Sequence, residues 1–524
     1  MVETSTNPVW QEYEAGKEYH RRIGLSESVR RNERFYRGDQ WYGMSADLPH
    51  PVFNLVRRIT DHLVGTVLPD DISIHYADDS LPFLNRQALK NEVLRGIDIL
   101  NKHTAWRWKH EKMTVLSRRA LLDAAITGDG IFYCSWDPDA EDGQLYRGDI
   151  RTTLVDSTAL FVSDVNSSDL QSQKYILLAG RTSVEDLRRE AQEAGVREAD
   201  LSRIVPDNDT DCASGDMGTC ELEGAGKATY LIRFFKENGE VVFEKWTRNL
   251  LIRRANTGLR LYPVAFFHWN DVKNCYHGGA PVSDMIANQR FINSAYAMVM
   301  KHMSDTAFSK VIYDKSRIPE WSNEVGEAIA VLGGGNVTDA VSVLGVGKLQ
   351  DGYMELIGSV IENTKGMMGA TESALGDERA NNTSAILALQ QASQVALNHV
   401  KANFCRCIGE LADIWADMLC TYCPKERLLA FCSENSDLLS AEAPDYRLLR
   451  QALLRAEAEM GHIASYSPAA TVATLDKLLE GGHLNVRQYL ELLPAGTVCD
   501  RETMLAKISD PEEVSENDSG KSDG

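Results

Sequence analysis

At 524 residues the chain is longer than one ordinary core requires, and its length suggests roughly two to four domains or one domain with large insertions. Hydrophobic residues at 43% and charged residues at 25% are ordinary globular composition, which argues against a disordered or membrane chain and leaves ample material for a core. A formal net charge of -21 at pH 7 argues against a basic clamp that holds nucleic acid by neutralising phosphates, but not against DNA as a passing substrate.

No Arg-rich leader, apolar signal core or bilayer-length apolar run is visible, so cytosolic synthesis without membrane insertion is expected. Residues 10–37 set Trp10, Tyr13, Ile23, Val29 and Tyr36 among charges at helical spacing. This predicts an opening helical segment with one apolar stripe, stopped by Gly38 among the aromatics of FYRGDQW. PHPVFNLVRRITDHLVGTVL restarts a helix with Val52, Leu55, Val56, Ile59 and Leu63 on one face. Residues 81–127 read as one long helical region carrying Trp106 and Trp108, broken by TGDG.

From Ile131 the period changes to two, and IFYCSW, DPDAEDG and QLYRGDIRTTLV predict strand, turn and strand. Asp137, Asp139 and Glu141 invite a calcium reading. Gly143 falls one place late for an EF-hand loop and the closing Glu is missing, so a solvated hairpin tip is expected. Residues 182–199 predict a short charged helix opened by a capping box of Thr182 with Glu185. A Gly- and Asp-rich segment at about 205–228 predicts a mobile acidic loop. Strands return in TYLIRFF, VVFEKWT and LYPVAFFHW, separated by ENG and NTG turns.

The second half is mostly helix. PVSDMIANQRFINSAYAMVMKHM repeats Val282, Met285, Ile286, Gln289, Ile292, Tyr296, Val299 and Met303, with Pro281 at the helix start. A second apolar row, Phe291, Ala295 and Met298, means that this helix is covered on more than one side over a length of roughly 35 Å. Strand-like FSKVIYD, a small acidic helix in PEWSNEVGEAIAVL, and turns plus a strand in GGGNVTDAVSVLGVG follow. KLQDGYMELIGSVIENTKGMM gives another helix with Tyr353, Ile357, Val360, Thr364 and Met367 on its face.

Residues 364–393, TKGMMGATESALGDERANNTSAILALQQAS, join two helix-patterned segments through a Gly-, Ala-, Ser- and Asn-rich loop that belongs on a surface. Residues 383–419 form one helical pattern through Ile386, Leu389, Ala396, Val400, Cys407, Leu411, Trp415 and Met418, long enough for roughly 50 Å. The chain turns at Pro424 and returns in shorter helices. Two of these lie in TLDKLLEGGHLNVRQYLELLP around a Gly-Gly break, with Asn485 as N-cap. The acidic tail, 509–524, is expected to be disordered.

Chemistry is sparse. The run Gly333 to Gly335 and the Gly347-Lys348 pair lack the spacing and the Ser or Thr of a phosphate loop, and neither HExxH nor a serine elbow occurs. His268 and His277 flank a Trp, Asn and Asp group; hydrogen-bonded strand-end and turn side chains are expected there ahead of a catalytic cluster. Cys420 and Cys423 have metal-like spacing, but Cys405 and Cys407, two apart in a helix, point to different faces, so reduced, buried thiols are expected ahead of a zinc site. No catalytic residue, metal ligand or cofactor site is predicted.

The order of the pieces is informative. NERFYRGDQW with PHPVFNLVRRITDHLV, the ITGDGIFYCSWD step, GGAPVSDMIANQRFINSAYAMV and the terminal LLEGGHLNVRQYLELLP together resemble the tailed-bacteriophage portal proteins. These form the ring at one capsid vertex through which DNA is packaged and ejected. The resemblance covers most of the chain and implies an α+β, mainly helical subunit with an α/β wing (1–278), a two-helix stem (279–307 and 348–369) and a small α/β clip (308–347). It further implies a tunnel loop (370–383), a long wing helix (384–424) and a helical crown (425–508). The loop around Cys212 and Cys220 departs from the pattern.

What the resemblance implies for sites and partners follows the same division. Arg379, Asn381, Asn382 and Thr383 would face the DNA channel. Lys315, Arg317, Glu320, Trp321 and Glu324 would offer the clip surface to the terminase large subunit and later to the head-tail adaptor. The implied partners also include further copies in a ring, a dodecamer in the virion, the major capsid protein and passing double-stranded DNA, with no membrane. The place is the virion vertex, after assembly in the host cytoplasm. Stem helices with two apolar faces suit a head-to-tail contact that closes on itself, and acidic walls let DNA, with one charge per roughly 1.7 Å, slide without sticking. The alternatives are a non-enzymatic helical scaffold or tail-associated structural protein without a pore and, third, a metal-dependent phosphohydrolase using Asp129, Asp137 and His residues.

Overall fold

The computed structural model describes residues 7–42, 48–68, 72–77, 87–141, 147–209, 226–306, 311–322, 324, 328–343, 352–370, 395, 397–423, 449–450, 455–460 and 468–493. Two amphipathic helices open the chain, α1 (Pro8–Ile23) and α2 (Leu25–Arg37). Gly24 between them sits at φ 67°, a left-handed turn that a Cβ would strain, so the predicted single segment is a corner. Gly38 ends α2 as expected, at φ 97°. α3 (Leu55–Val67) begins at Asn54, whose side chain accepts the Arg57 N–H at 3.0 Å. It buries Val56, Ile59 and Leu63, while Val52 lies before the helix and is exposed.

Strand β1 (Ile72–Ala77) precedes α4 (Gln87–His110) and α5 (Met113–Thr127). The pattern predicts one helix over this stretch; Lys112, at φ 53°, divides it in two. The predicted hairpin is present as β2 (Asp129–Glu141) and β3 (Arg147–Leu154), with its tip outside the described residues. Next come β4 (Leu160–Val162), β5 (Tyr175–Ser183), α6 (Val184–Glu193) and α7 (Glu198–Leu201). The expected capping box at Thr182 is replaced by a simple N-cap one residue on: Ser183 caps α6, its Oγ accepting the Asp186 N–H at 3.1 Å, while Thr182 pairs opposite Ala228 in the sheet.

β6 (Lys227–Glu237), β7 (Glu240–Thr247) and β8 (Leu251–Asn256) complete an antiparallel sheet in the order β4-β5-β6-β7-β8, and β9 (Val264–His268) joins a second in the order β3-β2-β9. α8 (Pro281–Thr306) then leads to β10 (Val311–Tyr313), which pairs with β11 (Val341–Val343) before α9 (Gly352–Met367). The acidic helix expected over 319–332 is not seen in its described residues, 319–322, 324 and 328–332, and among the described residues between β10 and β11 a 3-10 turn spans Val337–Ala340. A short helix with no neighbour for its apolar face is marginal by itself.

α10 (Asn398–Tyr422) starts after a turn residue, Leu397, and of the long helix expected over 383–419 residues 383–394 and 396 lie outside the described residues. The C-terminal segment, read as helices alone, also contributes β12 (Arg455–Met460), antiparallel to β1 with Ile72 opposite Met460 and Ala77 opposite Arg455. β12 lies on α10 because Gly409 leaves room: a Cβ there would come within 2.6 Å of the Ala456 carbonyl oxygen. Asp413, one turn on, accepts the Ala456 N–H at 2.7 Å. α11 (Pro468–Glu480) and α12 (Val486–Leu492) follow, and Asn485 caps α12 in a capping box with Gln488.

The main core gathers α3, α4, α5 and α10 around the β3-β2-β9 sheet. Trp415, fully buried, donates its Nε1–H to Thr152 Oγ1 at 3.2 Å. Arg107, with no exposed surface, pairs with Asp149, with Glu111 at 2.7 Å, and with the Ile150 carbonyl at 2.9 Å. Cys134, Cys275, Cys405, Cys407, Cys420 and Cys423 are free thiols; Cys407 is buried and Cys405 half-buried, on different faces of α10. Burial pushes the Cys134 and Cys420 thiols up to about 12, so they stay protonated and unreactive.

Candidate functional site

α8 is bound to the first helices by a ladder of amides. Gln289, 1% exposed, accepts the N–H of Leu55 at 2.9 Å and of Val56 at 3.3 Å, and donates to the Phe53 carbonyl at 2.9 Å. It also donates to Asn293 at 2.9 Å, Asn293 donates to Gln40 at 2.7 Å, and Gln40 donates to the Phe35 carbonyl at 3.0 Å. α9 packs against α8 through Ile357 on Ile292 and Ala295, with Val360 and Ile361 beside them. Asn288 of α8 donates to Thr364 Oγ1 of α9 at 3.0 Å.

The predicted apolar faces are therefore only partly covered within the chain. On α8, Val282, Met285, Ile286, Gln289 and Ile292 are buried, but Met303 at the far end is 62% exposed. In its second row Ala295 is buried against α9, whereas Phe291 and Met298 are 43% and 55% exposed. On α9, Tyr353 and Met367 of the predicted face, together with Met354 and Leu356, are exposed. Exposed apolar side chains along one helix pair make this face a candidate contact surface.

Between the two helices stands the small hairpin of β10 and β11. Asp314 shapes its turn by accepting the Ser316 N–H at 2.9 Å and Oγ–H at 2.6 Å. Ile318 is buried beneath it. Of the predicted surface residues, Lys315, Glu320 and Glu324 are exposed. Arg317 and Trp321 are half-buried: Arg317 donates to the Asn336 carbonyl at 3.3 Å, and Trp321 stacks on Tyr313 with ring centroids 5.2 Å apart. Arg379, Asn381, Asn382 and Thr383 lie outside the described residues.

Asp129, His268 and His277 do come together, and a residue that the sequence did not single out, His20, joins them. His277 Nδ1 lies 2.6 Å and His268 Nδ1 3.1 Å from the Asp129 carboxylate, which also accepts the Gly278 N–H at 2.7 Å. His20 Nε2 lies 3.1 Å from His277 Nε2 and 2.6 Å from Tyr276 Oη, which donates to the Leu160 carbonyl at 3.0 Å. Burial alone would push the Asp129 carboxyl up, but His277 and His268 hold it below the usual carboxylate range. Burial, and then His277, push the His20 imidazole down to about 3.

This chain of donors and acceptors ties α1, the α5–β2 turn, the end of β9 and the 276–278 turn together. All its residues are 5% exposed or less. That is the hydrogen-bonded reading of His268 and His277. Asp137, the other carboxylate of the phosphohydrolase reading, is elsewhere, paired with Arg151 at 2.8 Å. Among the described residues no group of three or more His, Cys, Asp or Glu side chains is placed to hold a metal, and no helix is long and apolar enough to cross a membrane.

No curated protein matches the chain. Among solved structures, the neck of an empty GTA particle computed with C6 symmetry overlaps 86% of this chain and 88% of its own at 9% identity, with a TM-score of 0.34, too loose to argue from. The sequence model of the family described as phage P22-like portal protein matches residues 261–436. That span runs from the start of β9 through both packed helices and their hairpin to the end of α10 and beyond. Over residues 261–436 this chain is therefore similar to the phage P22-like portal proteins.

Proposed function

We propose that this chain is the subunit of a phage portal, the ring at the capsid vertex through which the genome is packaged, retained and ejected. The observation that carries this reading is the portal family match over 261–436, the span that holds α8, the hairpin, α9 and α10. The exposed apolar rows on α8 and α9 support it, because copies set head to tail about an axis would cover them.

In this reading the chain is structural, without catalytic activity of its own. α8 and α9 are the stem. The hairpin of β10 and β11 is the clip, and its exposed Lys315, Glu320 and Glu324 face the terminase large subunit and later the head-tail adaptor. Arg379, Asn381, Asn382 and Thr383 belong to the tunnel loop and touch passing double-stranded DNA. The ring, a dodecamer in the virion, sits against the major capsid protein.

Negative-stain electron microscopy of the purified chain tests the reading. Closed rings with an axial hole are expected, without ATP turnover by the chain alone. A compact monomer at high concentration, or ATP hydrolysis, would count against it. Deleting residues 380–383 should leave rings intact and impair DNA retention or packaging; normal packaging by that variant would refute the tunnel-loop assignment.

A further inference from the structure

A cavity of about 590 Å³ opens at the corner between α1 and α2, on the outer side of Gly24. Six cationic side chains line it: Lys17 and Arg21 from α1, Arg30, Arg31 and Arg34 from α2, and Arg290 from α8. Two carboxylates, Glu27 and Asp39, share the lining, and Lys17 and Arg21 are paired with Asp209 and Glu18 beside it, which leaves a surplus of two positive charges in a chain whose net charge is -21. Its floor is Phe35, His20 and Gln40, all buried.

Part of this charge has a structural explanation. Arg34 lies in the last turn of α2, where the helix dipole favours a cation, and its guanidinium sits 3.7 Å from the Tyr42 ring centre. Lys17 is held by Asp209 at 2.8 Å, and Arg21 pairs with Glu18. Arg31 and Arg290 have no such explanation. Among the described residues Arg31 meets only the Ser28 hydroxyl, at 3.4 Å, and Arg290 only the face of Phe35, at 5.3 Å. Both are exposed and neither has a carboxylate within ion-pair distance.

Convergence of like charges from three helices onto one hollow is unfavourable unless an anion offsets it. Guanidinium groups present planar forks of donors that match phosphate oxygens, and a concave wall favours a compact, multiply charged group over a flat protein surface. We propose that this cavity is a phosphate-binding site, filled by a nucleic-acid backbone or by a free polyphosphate. The phosphate assignment stands without the portal reading; only the nucleic-acid source rests on it.

The test uses the intact chain with two probes, inorganic tripolyphosphate by calorimetry and a short labelled DNA duplex by fluorescence anisotropy, and the same samples are imaged for rings. At least one probe should bind with marked salt dependence, and R31Q/R290Q should weaken it about tenfold or more. R290K in the R31Q background should recover only part of the loss, because a lysine keeps the charge without the fork. Duplex binding with little tripolyphosphate binding assigns the backbone source, and the converse assigns the free polyphosphate.

Absence of binding by both probes, or a double variant that binds like the parent, overturns the site. Equal capture of a poly-glutamate peptide does so too, as does a double variant that loses ring assembly while keeping its phosphate affinity, since the cleft then holds carboxylates of a neighbouring copy. Rings without phosphate binding sink this inference alone. Phosphate binding without rings sinks the portal reading alone.

Discussion

The side-chain carbonyl of Gln289 accepts the backbone N–H of Leu55 at 2.9 Å, so a residue in the middle of α8 caps the first turn of α3. Two segments more than two hundred residues apart are locked by one amide, and the orientation of α8 relative to the first helices is set there. Replacing Gln289 by Leu keeps volume but strands the Phe53 carbonyl, the Leu55 N–H and the Asn293 side chain. A loss of about 2–4 kcal/mol is expected in denaturant titration, where a variant within about 0.5 kcal/mol of the parent would show that the ladder is dispensable.

Asp413 is half-buried against β12, and desolvation pushes its carboxyl up to about 7. A carboxyl whose folded pKa lies above its ordinary 3.8 binds protons more tightly when folded, so its contribution declines as pH rises from 3.8 towards 7. Asp413→Asn keeps an oxygen for the Ala456 N–H and removes the titration. The variant should be more stable than the parent at pH 8, by about 1–3 kcal/mol, and close to it at pH 4. Equal stabilities at both pH values would contradict the burial argument.

His20 has the opposite sign. Its folded pKa of about 3 lies below the ordinary 6.5, so the folded state resists protonation, and stability is present above 6.5 and lost as pH falls towards 3. Asp129, held below 3.8, adds a further loss at still lower pH. His20→Phe retains the stacking on Phe161, whose ring centre lies 4.6 Å away, and removes the proton site. Denaturant midpoints measured from pH 7 to pH 4 should fall less steeply for this variant than for the parent. Parallel slopes would mean that His20 does not drive the acid transition.

Met298 is 55% exposed on the face of α8 that α9 leaves open. Met298→Glu should leave the subunit's thermal stability within about 1 kcal/mol of the parent, since exposed substitutions rarely exceed that. It should shift the sedimentation profile from rings towards monomers. Rings that survive the substitution unchanged would place the subunit contact elsewhere.

Periodicity marked most of the helices and the hairpin, because 3.6-residue and two-residue spacings report which face of an element is buried. Val56, Ile59 and Leu63 on α3, Ile357 and Val360 on α9, and the Asn485 cap were legible this way. The order of those elements carried the portal resemblance that the family match over 261–436 bears out. Tertiary structure decided what local pattern could not. β12 is a strand only because β1 offers it a ladder and Gly409 gives it room, and the described residues of 319–332 are non-helical despite their pattern. His20 reached His277, and Arg290 reached the α2 arginines, only through folding across some 250 residues of chain. Contacts between distant residues leave no spacing in a sequence, since loop closure joins them at a cost that depends only weakly on the length of chain between them.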